Sequence, residues 1–431
     1  MNFSKHSRRT FLKATTAATG ALAFGGLMPL KVLGANDRVN MGLIGVGGMG
    51  TAHLNSLMEN MEEFNVNIGA VCDVYKRRIT KAAEATGAEG YMDYRKLLEN
   101  KDIDAVLIAT PDHWHCKMAI DAMDAGKHVY VEKPMTLTVE QAIELRNAVK
   151  KYGKKLQVGP QNTSMDQYWN AQKEIRNGGV GKVTYAQGSY NRNVRGGAFN
   201  QWFLIDETAG PHMDGEDYID WKMWLGYEWG LAPRIPWNPE HFFRFRKYFQ
   251  YNGGVATDLL YHTLAPLLLS ISGENGEFPR RVTAGGGLYI LKDGRDIPDV
   301  FNMIVDYPSE FTVLLASILT NNTQLPTRIY GQHATIEFDQ EAKLTANGDY
   351  KQEFMDSHDG MNEVILPSEN VGGTSADMER NFINAIRQDE KLFCNAELGA
   401  ATMVAIKMGV EAYRQNKTMM WDAENERIVT G

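Results

Sequence analysis

Cysteine is scarce in this chain. Cys72, Cys116 and Cys394 are the three present in 431 residues, odd in number and far apart. That spacing excludes a disulfide framework and a zinc ribbon, and each cysteine falls in an apolar stretch that suits an inert core thiol. A surplus of basic charge is lacking as well. The 45 Lys and Arg stand against 53 Asp and Glu, a net −8, which argues against a nucleic-acid partner. Charges of both signs are interspersed, with no low-complexity tract and no internal repeat. After the first 35 residues, no run is apolar enough to span a bilayer, which takes about 20 residues. The length suits one large domain or two ordinary ones.

The N-terminus has its own grammar. A cationic start with Arg8-Arg9 leads into a weakly apolar stretch from Ala14 to Leu30, and Gly34 and Ala35 offer the small residues of a cleavage site. Ser7-Arg8-Arg9-Thr10-Phe11-Leu12-Lys13 resembles a twin-arginine export signal. The resemblance implies a signal peptide over 1–34, no stable membrane anchor, and a periplasmic protein that folds before export, often around a cofactor.

The segment after residue 38 reads as a nucleotide site. Val39–Ile44 is a buried strand in pattern, and Gly45-Val46-Gly47-Gly48-Met49-Gly50 comes directly after it, before a helical pattern. This G-x-G-x-x-G lies between strand and helix, the setting that gives the motif its meaning. Gly45 permits the tight turn, Gly47 admits a pyrophosphate, and Gly50 allows close helix–strand packing; Gly48 and Met49 begin the helix whose free N–H groups favour an anion. A second strand ends at Asp73, 23 residues past Gly50, close to the expected spacing for an acid on the adenosine ribose. An acid there points to NAD. Lys76, Arg77 and Arg78 come just beyond it and keep NADP open. Further strands, IDAVLIAT and KHVYVEKP, alternate with helices, so 38–158 is expected to be a doubly wound parallel sheet of Rossmann type. Ligands bind beyond the carboxyl ends of such strands, where Thr110-Pro111 and Glu132-Lys133-Pro134 fall.

The run from Ala109 to Ala142, with Thr110-Pro111, His115, Gly126-Lys127-His128 and Glu132-Lys133-Pro134, resembles the Gfo/Idh/MocA oxidoreductases (glucose–fructose oxidoreductase and inositol dehydrogenase relatives). The resemblance covers roughly residues 38 to 425. It implies that Lys133 reaches both the nicotinamide and the substrate hydroxyl, where an ammonium stabilises alkoxide-like charge. Glu132 positions it, and Trp114 packs near the nicotinamide with His115 close by. A metal at His113-Trp114-His115 is disfavoured by the loop spacing and the lack of nearby carboxylates.

From residue 159 the pattern changes. Alternating strands without matching helices predict a large open, mainly antiparallel sheet, completed by two C-terminal helices into an α/β domain over 159–431. In YNGGVATDLLYHTLAPLLLSI, Asp258 and His262 stand at i and i+4 and so share a helix face. The resemblance makes His262 the general base, with Asp258 binding the sugar or orienting the histidine, and an imidazole of unperturbed pKa near 6.5 suits that task. Asn162, Tyr190 and Arg192 lie where the family lines its sugar site. Arg244, Arg246 and Lys247 precede the helix, with Arg244 and Lys247 as candidate sugar contacts. Trp221, Trp224, Trp229 and Trp237 sit in a long aperiodic segment that reads as a functional or oligomer-forming loop, either stacking on sugars or packing in a core.

The expected activity is an exported NAD-dependent oxidoreductase acting on a secondary hydroxyl of a sugar or glycoside, ring carbon 3 being the preferred site, with a tightly held cofactor. Alternatives are a glucose–fructose or inositol type dehydrogenase and an NAD-dependent glycosidase using transient oxidation, whose family members tend to depart from Glu-Lys-Pro. A non-catalytic sugar sensor stands against the complete site motifs. Family members often pair through the open sheet, so a homodimer or homotetramer is expected.

Overall fold

Strands that are mostly buried on both faces, apart from the exposed edge strand Glu89–Tyr91, build the first sheet. They are β1 Val39–Ile44, β2 Val66–Cys72, β3 Glu89–Tyr91, β4 Ala105–Ile108, β5 His128–Val131 and β6 Leu156–Val158. Every pairing is parallel, in the order β3-β2-β1-β4-β5-β6. Parallel strands covered by helices on both faces need continuous apolar runs, and all four residues of β4 are buried. The order reverses between β1 and β4, the point at which doubly wound sheets take their ligands. The computed structural model describes residues 38–200, 204–370 and 372–431. The export signal expected over 1–34 lies outside them.

Helix α1, Gly48–Glu59, starts directly after the glycine loop. Gly45 has φ +87°, a left-handed conformation that favours glycine. A Cβ on Gly50 would stand 1.8 Å from the Gly45 carbonyl oxygen, so Gly50 is a packing glycine. Helix α2, Asp112–Asp124, follows β4, and α3, Val139–Tyr152, follows β5. The start of α3 is set by a capping box, in which the Thr138 hydroxyl and Gln141 exchange bonds.

The second sheet has ten strands: β7 Val183–Ser189, β8 Arg281–Gly287, β9 Val300–Asp306, β10 Thr312–Ile318, β11 Thr327–Gly331, β12 Ala334–Phe338, β13 Ala342–Ala346, β14 Glu363–Leu366, β15 Met419–Asp422 and β16 Arg427–Thr430. Their order is β14-β13-β12-β11-β7-β10-β9-β8-β15-β16. The pairings are antiparallel apart from β7 with β10, which lie far enough apart in sequence for a crossover. Burial alternates along β9 and leaves Ile304 exposed on the uncovered face.

Helices α4, Tyr261–Ser272, α5, Ser375–Gln388, and α6, Ala396–Gln415, close the body. Nearly all of α6 is buried, because it lies between the two sheets. Small residues make that possible. A Cβ on Gly399 would come within 2.7 Å of Val158 on the first sheet, and one on Gly409 within 2.9 Å of Met303 on the second.

The long aperiodic segment folds as an aromatic cluster. Tyr75, Trp221, Trp224, Phe242, Phe243 and Tyr251 are buried together, with Trp237 against them. Trp221 stacks on Trp224 with centroids 4.7 Å apart. Backbone bonds tie this segment to the end of β2: Asp220 N–H donates to the Val74 carbonyl at 2.8 Å, and Lys76 N–H to Tyr218 at 3.1 Å. Arg77 pairs with Asp206 and Asp217 of the same segment. The tryptophans therefore serve core packing, not sugar stacking.

Gly50→Ala tests the loop. The new methyl forces α1 away from Gly45, so stability should fall by about 1–3 kcal/mol in chemical denaturation and dinucleotide binding should be lost. Retention of full binding would show that the loop tolerates the methyl.

Candidate active site

Two adjoining cavities mark the carboxyl ends of the first sheet. The larger, of about 380 Å³, is lined on one side by Gly45, Gly47, Gly48, Met49, Asp73 and Thr110, with Pro111, Trp114, Glu132 and Lys133 continuing the wall. The aromatic segment supplies the opposite side through Met223, Trp224, Phe242, Phe243, Phe245 and Arg246. The smaller, of about 160 Å³, is lined by Lys133, Tyr190, Arg192, Phe199, Arg246, Asp258, Leu259 and His262. Lys133 and Arg246 border both.

The larger cavity fits a dinucleotide. The glycine loop opens onto the N-terminus of α1, where free N–H groups receive a pyrophosphate. The Asp73 carboxylate is anchored by N–H groups of Val46 at 2.9 Å and Tyr75 at 3.0 Å, which hold it at the strand end. Among the described residues the buried Thr110 hydroxyl oxygen has no hydrogen-bond partner, as expected of a group that awaits a ligand.

Lys133 is built from both sheets. It leaves the end of β5 through a cis Lys133–Pro134 peptide. Its ammonium donates to the Asp258 side chain at 3.1 Å and to the Asp258 carbonyl at 3.0 Å. That carbonyl is reachable because Ala256–Leu260 is a π-helical turn, which loosens the ladder just before α4. Arg246 Nε donates to the same Asp258 oxygen at 3.0 Å. Burial opposes the Asp258 charge, but Lys133 and Arg246 outweigh it and hold the carboxyl well below its usual range.

Behind Lys133 lies a second layer. The Glu132 carboxylate accepts the Lys133 backbone N–H at 3.1 Å. Its other oxygen bonds His53 Nε2 at 2.9 Å, and His53 Nδ1 bonds Glu379 at 2.5 Å. Burial disfavours the charge on His53, but the two carboxylates prevail and raise its pKa to about 9. His53 is thus a buried cation between two anions.

His262 moves the other way. Burial and the nearby Lys133 ammonium push its pKa down to about 3. This corrects the expectation of an imidazole near 6.5. The pairing expected for Asp258 also changes: its carboxylate holds Lys133 and Arg246, and among the described residues it makes no hydrogen bond to His262. Pro266, inside α4, lacks the N–H that would bond the His262 carbonyl four residues back. The Asn162 amide fills that gap at 3.2 Å.

These observations meet the comparisons with known proteins. Residues 39–160 match the model of an oxidoreductase family with an NAD-binding Rossmann fold, Gfo/Idh/MocA. The match is confined to the first sheet and its helices, which are similar to the Rossmann part of that family. A "Glycosyl hydrolase family 109 protein 1" of Shewanella sp. (strain ANA-3) is 30% identical over 223 residues, 44% of this chain and 46% of its own length. An "Inositol 2-dehydrogenase/D-chiro-inositol 3-dehydrogenase" of Lactiplantibacillus plantarum is 31% identical over 182 residues, 42% of this chain and 51% of its own. The chain spans about half the length of these curated relatives. Among solved structures, an aldose-aldose oxidoreductase from Caulobacter crescentus superposes with TM-score 0.63 at 18% identity, over 89% of this chain and 99% of that one. That likeness extends the shared fold across both sheets.

Not every candidate lies where a Gfo/Idh/MocA site was expected to hold it. Asn162 supports α4 and is not among the residues that line the smaller cavity. Lys247 is buried and bonds Glu240 and Asp293, and Arg244 pairs with Glu240 one turn back, so both stabilise the aromatic segment from within. His115 lines neither cavity; it bonds the Thr110 and Pro134 carbonyls at 2.9 and 2.7 Å and clips the two strand-end loops together. His113 and Trp114 both reach the Trp224 carbonyl, docking the aromatic segment on α2. Tyr190 and Arg192 do line the smaller cavity. His53, Glu379 and Asp112 were missed. Asp112, buried against Asn252 at 2.7 Å, has its carboxyl raised to about 7, by burial against the opposing pull of Arg246. The one local signal for His53 was its place three residues after Gly50, on a helix face that otherwise reads as core.

Two outcomes are expected from histidine-labelled protein followed by NMR. His53 stays cationic at about pH 8, and His262 stays neutral down to about pH 4; either imidazole titrating near 6.5 would overturn its assignment. By linkage, the stability His53 contributes is complete below its unfolded value near 6.5 and is lost as pH rises through about 9. His53→Ala at neutral pH should cost roughly 3–5 kcal/mol, since it leaves two buried carboxylates without their cation.

Proposed function

We propose that the protein is a nicotinamide-dinucleotide-dependent oxidoreductase acting on a secondary hydroxyl of a sugar or glycoside, with ring carbon 3 the favoured position. One observation carries this reading. Lys133 from the nucleotide-binding sheet and Asp258 and His262 from the second domain converge on a cavity that adjoins the dinucleotide cavity. When bound, the dinucleotide supplies the hydride acceptor or donor at this junction. The residues of the chain do the rest. The Lys133 ammonium, fixed by two bonds to Asp258, stabilises negative charge on the reacting oxygen. His262, neutral across the working pH range, receives the hydroxyl proton. Its depressed pKa makes it a weak base, so it takes that proton only as the Lys133 ammonium stabilises the developing negative charge on the oxygen. Glu132, locked by His53, holds the Lys133 backbone in place.

Asp73 supports NAD as the cofactor, since a 2′-phosphate would meet its carboxylate. The aromatic segment opposite the glycine loop supports a tightly held cofactor, and the twin-arginine-like start supports work in the periplasm, where such retention matters. Nucleotide released from purified protein should be NAD(H), and Asp73→Ser should shift the preference towards NADP by at least about tenfold, about 1.4 kcal/mol. A purified protein with no nucleotide absorbance and no NAD affinity would sink this part.

A second reading, glycoside cleavage through transient oxidation, is favoured by the glycosyl hydrolase name of one relative. Nitrophenyl glycosides separate the two: cleavage that borohydride treatment of the enzyme alters supports the hydrolase, whereas keto-sugar formation with cofactor reduction supports the dehydrogenase. In either assay Lys133→Ala and His262→Ala should lower kcat by about 10²–10⁴-fold while NAD binding persists. Full turnover in either variant would remove its catalytic role.

A further inference from the structure

The smaller cavity has a charge opposite to that of the protein. The chain carries a net −8, yet among the described residues lining this cavity Lys133, Arg192 and Arg246 face one carboxylate, Asp258. His262 is neutral there. The neighbouring Glu132, which lines the larger cavity and not this one, shares His53 with Glu379. Asp112, which lines the larger cavity, bonds Asn252, and burial favours its protonated form. The loop that carries Arg192 adds no acid: Asn191 bonds Thr323, and Asn193 bonds Asn322, all neutral partners. Arg192 itself is braced by the Tyr190 hydroxyl at 2.8 Å, with its guanidinium over the Tyr190 ring at 5.1 Å.

Cofactor phosphates do not account for this charge. Their place is the glycine loop and the N-terminus of α1, whereas Arg192 borders the smaller cavity alone. Clefts lined by one sign of charge concentrate ligands of the other sign, and guanidinium groups match the fork of an oxyanion. Resting on the sugar-oxidoreductase reading, we propose that the substrate is an acidic sugar, its ring in the smaller cavity and its oxyanionic substituent, a uronate carboxylate or a sulfate ester, held by Arg192 and Arg246. Arg192 is then the specificity-determining residue, because Lys133 and Arg246 also border the dinucleotide cavity and hold Asp258.

The test is calorimetric titration of the NAD-loaded protein with methyl glucoside, methyl glucuronoside and methyl glucoside 6-sulfate, repeated in the galacto series. Either acidic glycoside should bind at least tenfold more tightly than its neutral counterpart, and the tighter of the two identifies the substituent. Arg192→Gln should erase most of that preference, weakening the acidic glycosides at least about tenfold more than the neutral ones. Equal or weaker binding of both acidic glycosides in both series overturns the inference, as does an undiminished preference in Arg192→Gln. Cofactor reduction by the neutral glycosides, measured in parallel, tells the outcomes apart. Neutral turnover without acid preference ends the acidic-substrate inference and leaves the oxidoreductase standing.

Discussion

The ion pair between Lys133 and Asp258 is the constraint on which the site depends. Its partners lie 125 residues apart, Lys133 just after β5 and Asp258 in the π-helical turn before α4. Both are nearly buried, with side-chain exposures of 11% and 8%. Two charges withdrawn from water recover their desolvation cost only with good geometry and further bonds. Here the further bonds exist: the Asp258 carbonyl on Lys133, the Arg246 guanidinium on Asp258, and Glu132 on the Lys133 backbone. The pair forms only when the two sheets are docked, and the small residues of α6 allow that docking.

Charge is arranged around that pair in layers. Farthest back, the His53 cation satisfies Glu132 and Glu379, so Glu132 approaches Lys133 without drawing away its ammonium. In front, Lys133 and Arg246 hold Asp258 ionised, and burial with the Lys133 charge depresses His262. The histidine that would titrate near neutrality elsewhere is thereby kept as a free base. The smaller cavity inherits the rest of the arrangement, a lining with Lys133, Arg192 and Arg246 around Asp258.

The parts legible in the sequence were those whose meaning is local. The glycine loop, Asp73 and Glu132-Lys133-Pro134 each declare themselves within about 25 residues of chain, because strand, turn and helix N-terminus are consecutive in this fold. The i, i+4 spacing placed Asp258 and His262 on one cavity. What those side chains bond was not local. Asp258 meets Lys133 and not His262, because a π-helical turn precedes α4 and a lysine arrives from the other domain. Asn162 was read as a sugar ligand, yet its role is set by Pro266, whose missing N–H leaves the His262 carbonyl for it to bond. His53 on an apolar helix face looks like a core residue until its two carboxylates are brought from remote segments.

The aromatic segment shows why cofactor and substrate handling are not separable here. It is anchored on the nucleotide side by Arg77, Lys76 and the Trp224 carbonyl, and covers the dinucleotide cavity with Trp224, Phe242 and Phe243. Its last turn then places Arg246, stacked on Phe245, where the two cavities meet. The aromatic cluster that lines the larger cavity also fixes a cation that bonds Asp258 and borders the smaller one. A change in the packing of Trp221 or Phe242 therefore acts on both sites through Arg246. Arg246, which borders both cavities, is thus positioned by a segment lying outside the first sheet.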